Sequence, residues 1–482
     1  MKLTYRQSVL GAVAVSVVVR ARFLFTPLLA DEGGILSVAR DWSSGATLYR
    51  NVWIDRPQGL IVLFRAWDAL PGTGPSSIRM LAIIFGAAGI FAVASVGRSL
   101  FNPRVGALAA WFAAALTASP MIEGFASNGE LLSGAFGVCG LAITAAVMTE
   151  RCAQTWLLLA GVLLGAALAV KQSAFDVLLA IAAWLVLAWL LRWRQRRRVA
   201  LDTALLAGGI TAVVGGCAWH GSTLGWNDYW YAVAGFRLEA RSALSNPELD
   251  KLAISLLFII PVLVPAFVLL VRANGIVGIR SLSRRPHAAL TLLWTLAAAF
   301  SFATGGSFHR HYFIILALPL SLLAALAAER LGQSGRRHAV VALAIAFAAA
   351  TPFIANPRLI LGDVTDTNVE LAAWISQQEA QRGPLVVYAY CADAALYPQI
   401  DQTPPYRYLW EDHVRFADGA QEGLLRLLTG PQAPDYVLRV QPLEKCDESH
   451  TLAAAIEVGY ISEGKIGPVE VMRRIDLPAP SG

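Results

Sequence analysis

The chain has 482 residues, of which 56% are hydrophobic and only 15% are charged. Soluble domains carry about 25% charged residues, so this composition excludes an ordinary soluble protein and predicts a chain that crosses a membrane many times. The formal net charge is +6, but the basic residues cluster between apolar stretches, which membrane topology explains, and we expect no nucleic-acid partner.

Eleven apolar stretches are predicted to span the membrane, since a bilayer core about 30 Å thick needs about 20 helical residues. They centre near residues 18, 90, 112, 140, 163, 183, 210, 262, 297, 320 and 347. The first stretch begins with MKLTYRQS and resembles a signal peptide. We interpret it as an uncleaved first helix, because many spans follow it.

Four arginine-rich segments set the predicted orientation. They are residues 97–104, 192–198, 272–287 and 329–338. By the positive-inside rule all four should be cytoplasmic. The short apolar segment 59–70 contains Arg65 and Asp68, and a span there would turn the arginine-rich segments outward. We therefore expect a helix in the outer interface, within one long external loop of residues 30–79. The N-terminus then lies inside and the C-terminus outside.

From about residue 357 the composition becomes that of a soluble protein. The segment 368–380 is predicted to be an amphipathic helix, and three others are predicted to be strands, at 384–391, 434–440 and 469–475. We therefore expect an all-α polytopic membrane protein with a small C-terminal α/β domain outside the cytoplasm. Residues 1–356 would form the membrane domain and residues 357–482 the outer domain.

Ionisable side chains concentrate at the outer ends of the predicted spans. The first are Asp31 and Glu32 in LLADEGGILS. Acids at a helix start suit the N-cap and the helix dipole, but this does not explain two charges at a membrane boundary. Ionisable groups at such places tend to be functional. We therefore take both as candidate catalytic residues, with Asp31 the stronger.

Four further outer segments carry the other candidates. They are Asp55 and Arg56 in WIDRPQGL, Glu130 in SNGELL with Glu123 upstream, Lys171 in AVKQSA, and His309, Arg310 and His311 in FHRHYF. Each has a purely structural alternative, namely a surface ion pair, a helix start or a cation that reaches the lipid headgroups. Arg20 and Arg22, at the outer end of the first span, are further phosphate candidates with the same alternative.

Together these segments place acids and bases around one outer cavity. The acids suit a general base or metal ligands, and the cations suit a phosphate leaving group. Two histidines at i and i+2 splay apart on a helix, so we expect at most one of His309 and His311 to face the site. A lipid phosphate fits this arrangement, because its tail needs the bilayer and its head needs the cations.

In their order along the chain, these motifs resemble the GT-C glycosyltransferases, in the branch of protein O-mannosyltransferases and lipid A aminoarabinose transferases. The matching pieces are DEGG, DRPQGL, SSIRMLAIIFGAAGIF, SNGELL, GVLLGAALAVKQSA and HRHYFIILALPLSLLAALAA. The segment that begins ELAAWI resembles the soluble part of many bacterial members. The resemblance implies the GT-C fold in the inner (plasma) membrane, in contact with membrane lipids.

The resemblance also implies sugar transfer from a polyprenyl-phosphate donor to a glycan, lipid or protein acceptor on the outer face. By matching position, the general base is Asp31, the metal or acceptor ligand is Asp55, the phosphate ligands are Arg56 and Lys171, and the site is lined by Glu130. Arg310 is a further phosphate candidate. In some members a histidine corresponding to His309 or His311 completes a metal site. We predict inversion at the anomeric carbon.

Several alternatives stay open in the sequence. No cofactor is certain, and a divalent metal is open because DRPQG has Arg and Gln where many relatives have Lys and a second Pro. Whether Cys391 and Cys446 pair in the outer domain is also open. A ligase or polymerase of lipid-linked oligosaccharides would use the same elements. A flippase should show repeated halves and midplane charges, which the sequence lacks, and a scaffold would leave the charged outer segments unexplained.

Overall fold

The structure is a computed structural model that describes residues 4–70, 74–243, 249–273, 285–305, 308–390, 394–439, 447 and 449–477. Its first half contains ten α-helices. They are α1 Tyr5–Ala21, α2 Ala30–Ser43, α3 Gln58–Asp68, α4 Arg79–Leu100, α5 Pro103–Thr117, α6 Gly129–Met148, α7 Trp156–Val170, α8 Asp176–Leu190, α9 Arg196–Trp230 and α10 Phe236–Ala243.

The second half of the described chain adds nine α-helices and four strands. The helices are α11 Leu249–Arg272, α12 Pro286–Gly305, α13 Phe313–Arg330, α14 Gly332–Ala355, α15 Arg358–Arg382, α16 Tyr397–Ile400, α17 Glu411–Phe416, α18 Ala420–Thr429 and α19 Thr451–Gly459. The strands are β1 Val387–Tyr390, β2 Tyr436–Arg439, β3 Tyr460–Ile466 and β4 Val469–Arg474. They form one sheet in the order β1-β2-β4-β3, in which only β1 and β2 are parallel.

Every predicted span centre falls inside one of these helices. Among the described residues, six helices are long and apolar enough to cross a membrane. The halves Leu252–Pro261 and Leu263–Arg272 of α11 meet at 70° and count as a seventh if they form one span. The helices α7 and α8 are apolar but shorter, at 15 residues each. The chain is a multi-pass membrane protein, while the orientation of its termini remains a prediction.

Of two segments that bear on the predicted topology, one differs in structure and the other is a short helix as predicted. Residues 219–243, expected to belong to a loop between the spans centred near residues 210 and 262, continue α9 through a π-helical turn at Tyr231–Gly235 into α10. The interfacial element at 59–70 is α3, whose 11 residues extend about 16 Å, too short to span a bilayer. Most of the arginine-rich segment 272–287 and both Cys391 and Cys446 lie outside the described residues.

The apolar interior divides into two main cores. One lies among the spanning helices and includes residues of α4, α5, α6, α8 and α13. The other joins the segment between α1 and α4 to the C-terminal region, with residues of α2 and α3 packed among residues of β1, α17, α18 and α19. The candidate site lies between these two cores.

Candidate active site

A cavity of about 100 Å³ opens where α2, the start of α6, the turn Arg310–Tyr312 and α17 meet. It is lined by Asp31, Ile35, Ile54, Asp55, Arg56, Leu60, Asn128, Gly129, Glu130, Arg237, His309, His311, Tyr312, Trp410, Asp412 and His413. Six of the nine predicted site residues are in this set. The exceptions are Glu32, Lys171 and Arg310, and the last two pair with carboxylates at the cavity edge. Both His309 and His311 are among the six, so the expectation that at most one would face the site is wrong: His309 is extended and precedes the turn, and the two rings stack.

Asp31 lies in the first turn of α2, which begins at Ala30. Its Oδ1 accepts a hydrogen bond of 3.0 Å from the indole Nε1–H of Trp410. The side chain is half-buried and faces the cavity. An indole is a neutral donor, so this carboxylate keeps its charge available for another partner.

Asp55 is held by cations on several sides. Its Oδ2 pairs with Arg56 at 2.7 Å and with Arg237, and its Oδ1 lies 3.4 Å from His413 Nε2. Burial alone would raise the pKa of Asp55, but the two guanidiniums and the imidazole outweigh it and hold that pKa well below its usual range. A carboxylate stabilised in this way is a poor proton acceptor.

A chain of charged groups runs from α6 to the turn before α13. Asn128 caps α6 by accepting a hydrogen bond from the Leu131 N–H, and this places Glu130 in the first turn, in contact with the Lys171 ammonium. His311 bridges the next carboxylates, with Nδ1 2.8 Å from Glu123 and Nε2 3.8 Å from Glu130. Its two nitrogens thus both face acids, as the imidazolium form requires.

Glu123 is the last carboxylate in this row of charged groups. Its Oε1 lies 3.8 Å from the Arg310 guanidinium. Burial would raise the pKa of Glu123, but His311 and Arg310 hold it below its usual range. The Lys171 ammonium also lies 4.3 Å from the centre of the Tyr312 ring, a cation–π contact that fixes the lysine beside the cavity.

Comparison with known proteins gives one family match. Residues 55–215 match the family model described as dolichyl-phosphate-mannose-protein mannosyltransferase. No curated protein matches the chain.

Solved structures match almost the whole chain. ArnT from Cupriavidus metallidurans bound to undecaprenyl phosphate has a TM-score of 0.67 and 16% identity, over 98% of this chain and 99% of that one. An archaeal oligosaccharyltransferase, AglB from Archaeoglobus fulgidus with an inhibitory peptide and a dolichol-phosphate, has a TM-score of 0.54 and 12% identity, over 98% and 75%. The chain has the GT-C fold. The predictions of this fold class and of a glycosyltransferase are confirmed.

Within the GT-C fold, the structure separates the two neighbouring acids of DEGG. Glu32 is 1% exposed and pairs at 2.9 Å with Arg79, which is equally buried. It also accepts hydrogen bonds from the backbone N–H groups of Leu29 and Ser127, at 3.1 and 3.0 Å. The structure thus places Glu32, a predicted catalytic candidate, outside the cavity and in a structural junction.

The first-span arginines have structural partners as well. Arg20 is 1% exposed and donates to the carbonyl groups of Gly124 and Thr117 at 2.8 and 2.9 Å. Arg22 donates to the carbonyl of Ala355 at 3.4 Å. Neither guanidinium lines the cavity of the GT-C fold, and both bond backbone carbonyl groups instead of a phosphate or the lipid headgroups.

The cavity residues do not fit a metal centre. Among the described residues, no group of three His, Cys, Asp or Glu side chains is arranged to hold an ion. The His309 and His311 rings stack with centroids 5.5 Å apart, and His311 is taken by two carboxylates. The oxygens of Asp55 face two arginines and a histidine, which leaves no open side for a cation.

Sequence reasoning missed the cavity residues Arg237, Trp410, Asp412 and His413. Arg237 lies between the predicted spans centred near residues 210 and 262, and nothing in the sequence showed that it would meet Asp55 across 182 residues. Trp410 and His413 come from the C-terminal region, far from any span boundary. Their place in the cavity becomes visible only in the structure, where that region packs on α2.

Loss of Glu32 is expected to destabilise the protein. Breaking a buried pair leaves one charge without a partner, which costs about 3–5 kcal/mol. We therefore expect Glu32→Ala to lower the melting temperature in detergent strongly. The matched control is Arg104→Ala, which removes a pair with Glu329 at 3.8 Å whose arginine is 71% exposed, and it should cost less than about 1 kcal/mol. Equal melting temperatures for the two variants would contradict the structural role.

The low pKa of Asp55 predicts a pH-dependent contribution to stability. An unfolded Asp titrates near pH 3.9, so the stabilisation from ionised Asp55 is complete above about pH 4 and is lost as the pH falls further. We expect Asp55→Asn to melt below the wild type at pH 7, with a gap that narrows below pH 4. The control Asp228→Asn, in an exposed pair with Arg50, should show a small gap throughout. A gap for Asp55→Asn that does not change with pH would refute this assignment.

Proposed function

We propose that this protein transfers a sugar from a polyprenyl-phosphate donor to a cell-envelope acceptor on the outer face of the plasma membrane. One observation carries the proposal: a half-buried carboxylate with a neutral partner shares one cavity with the cations Arg56 and Arg237, beside apolar spanning helices. A donor with a phosphate head and a lipid tail suits this combination. The mannosyltransferase-family match supports the reaction class.

The lipid-phosphate donor has further support from the similar structures. ArnT was solved bound to undecaprenyl phosphate, and AglB was solved in complex with a dolichol-phosphate. Both are long apolar alcohols joined to a phosphate. We infer that the corresponding part of this chain accepts a donor of the same chemistry.

Asp31 is the proposed general base. Asp55 is held by two arginines and Glu130 by Lys171, whereas the partner of Asp31 is a neutral indole. Asp31 takes the proton from an acceptor hydroxyl, and the oxygen attacks the anomeric carbon from the face opposite the phosphate. The bond from that carbon to the phosphate oxygen breaks, and polyprenyl phosphate leaves with the electron pair. The product has the inverted configuration at the anomeric carbon, and no step uses a metal ion.

Arg56 is the cation best placed for the departing phosphate. It lines the cavity, with its side chain 19% exposed, and a guanidinium presents a planar fork that matches phosphate oxygens. Lys171 lies behind Glu130 and acts on the same charge at longer range. Arg310 pairs with Glu123 and lies over the Phe258 ring at 4.9 Å, so its role is the most indirect of the three.

A donor panel tests the proposal. Purified protein in lipid nanodiscs is given several polyprenyl-phosphate sugars and a set of acceptors, with Asp31→Asn beside the wild type. We expect transfer by the wild type and a loss of about 100-fold or more in the variant, since general bases contribute about 10²–10⁴. The control is Asp68→Asn, in a pair with Arg40 outside this cavity. Full turnover by Asp31→Asn would contradict the assignment of Asp31 as the base. Movement of lipid across the membrane without a glycosyl product would favour a flippase.

Substitution of Arg56 tests the phosphate contact. We expect Arg56→Gln to lower kcat/KM for the donor at least about tenfold, because a hydrogen bond to a charged group is worth about 1.5–3 kcal/mol. Arg56→Lys should retain part of the activity, since it keeps the charge but not the fork. Inhibition by free polyprenyl phosphate should weaken in the same order, while Arg50→Gln, whose partner is Asp228, changes neither. Unaltered inhibition in Arg56→Gln would contradict the contact.

The similarity to AglB also supports a second candidate function, the transfer of a lipid-linked oligosaccharide. AglB is the longer protein, of which this chain covers 75%, whereas it covers 99% of ArnT. The donor panel separates the two functions when it includes a lipid-linked oligosaccharide. Turnover with that donor alone would replace monosaccharide transfer by the second candidate.

A further inference from the structure

The glycines of DEGG allow an approach that no side chain would permit. A Cβ at Gly33 would lie 2.2 Å from Ala395 Cα, and a Cβ at Gly34 would lie 2.5 Å from Cζ2 of the Trp410 indole. Both distances are shorter than any real contact between carbon atoms. The first turns of α2 therefore touch the C-terminal region directly, and the two glycines are needed for that contact.

This contact brings the C-terminal region next to two of the cavity acids, Asp31 and Asp55. Trp410, which immediately precedes α17, packs against Gly34 and donates its indole N–H to Asp31. One turn later, His413 points Nε2 at Asp55 from 3.4 Å. One short segment, 410–413, thus reaches both acids.

The segment 410–413 is held by packing. The His413 ring is 4% exposed and meets three aromatic rings edge-on or tilted, those of Trp53, Phe236 and Trp410, at centroid distances of 4.7, 5.3 and 5.0 Å. Tyr408, just upstream, contacts Trp53 at 5.2 Å. Buried aromatic contacts of this kind fix a side chain in one orientation, so the segment is rigid enough to fix its hydrogen-bond partners.

We propose that the segment 410–413 is a positioning element of the catalytic site, in which Trp410 orients Asp31 and His413 orients Asp55. The proposal rests on the proposed function and adds the requirement that the C-terminal region be docked on α2 for transfer. The indole N–H engages Oδ1 of Asp31, which leaves Oδ2 to receive the acceptor proton. Without the indole the carboxylate rotates, and fewer encounters have the productive geometry.

Trp410→Phe tests the orientation of Asp31, because it removes the N–H and keeps an aromatic ring. We expect kcat to fall about tenfold, with the donor KM within twofold. In an Asp31→Asn background the same substitution should have no further effect, because Trp410 acts through Asp31. The matched control is Trp374→Phe, a tryptophan of the same region that packs on Tyr436 at 5.0 Å and should leave kcat unchanged. Losses that multiply in the double variant would overturn the proposal.

Gly34→Ala tests the same contact without altering a polar group. The added Cβ displaces the indole, so kcat should fall as in Trp410→Phe. The control Gly89→Ala, on α4, adds a Cβ that meets no atom within 4 Å and should be neutral. Wild-type kcat in Gly34→Ala would show that the close approach has no role in transfer.

His413→Phe tests the second contact, since it keeps the ring within its aromatic surroundings and removes Nε2. We expect kcat to fall at least fivefold, with at most a small drop in melting temperature, because Asp55 keeps both arginines. A loss confined to the melting temperature would overturn the role of His413.

A spectroscopic readout separates this proposal from the proposed function. With ¹⁵N-labelled tryptophan, one of the fourteen indole N–H resonances should shift in Asp31→Asn, and that resonance should be missing from Trp410→Phe. If the wild type transfers no sugar from any donor, the proposed function fails while this readout still reports on the contact. If no indole resonance responds to Asp31→Asn, the positioning role fails whatever the activity is.

Discussion

The buried ion pair between Glu32 and Arg79 is the interaction on which the site depends. Two charges that are each 1% exposed are tolerated only when hydrogen bonds satisfy them, and here they are. Arg79 donates to the carbonyl groups of Phe23, Thr26 and Pro27, and Glu32 accepts from the backbone at both ends of the junction. The pair ties the end of α1, the start of α2 and the start of α4 together.

This junction fixes the direction of Asp31. Neighbouring residues on an α-helix point about 100° apart, so a first turn held by Glu32 on one side presents Asp31 on another. That other side is the cavity, where Trp410 meets the carboxylate. Asp31 and Glu32 therefore have different partners and different exposure, although they are neighbours in sequence.

The distribution of charge explains why the acids in and beside the cavity are not equivalent. Asp55 is surrounded by guanidiniums, Glu130 contacts an ammonium, and Glu123 contacts a histidine and an arginine. Carboxylates with such partners remain ionised and hold the cations in place, which prepares a positive field for a departing phosphate. Asp31, whose hydrogen bond comes from the neutral indole of Trp410, lies outside these ion pairs, which is why we propose it as the base.

Much of this arrangement was predictable, because membrane topology constrains where charges lie. Span centres follow from apolar length, and the positive-inside rule assigns Asp31, Asp55 and Glu130 to one face. The structural role of Glu32 was not predictable, since the direction of Arg79 cannot be derived from spacing. Strand β3 was missed because YISEGKI has one buried residue at its start and mostly exposed residues after it, so it lacks the alternation of a half-buried strand.

The contribution of the C-terminal region was hidden for a different physical reason. Its residues reach the site through tertiary packing, and the core that joins it to α2 and α3 combines segments more than 300 residues apart. Composition suggested a separate outer domain, since residues after 357 are polar enough to fold in water. The shared core shows that the segment containing α2 and α3 and the C-terminal region bury apolar surface against each other. The cavity between them therefore forms only when they meet, and the close approach at Gly33 and Gly34 determines how Asp31, the proposed base, is held.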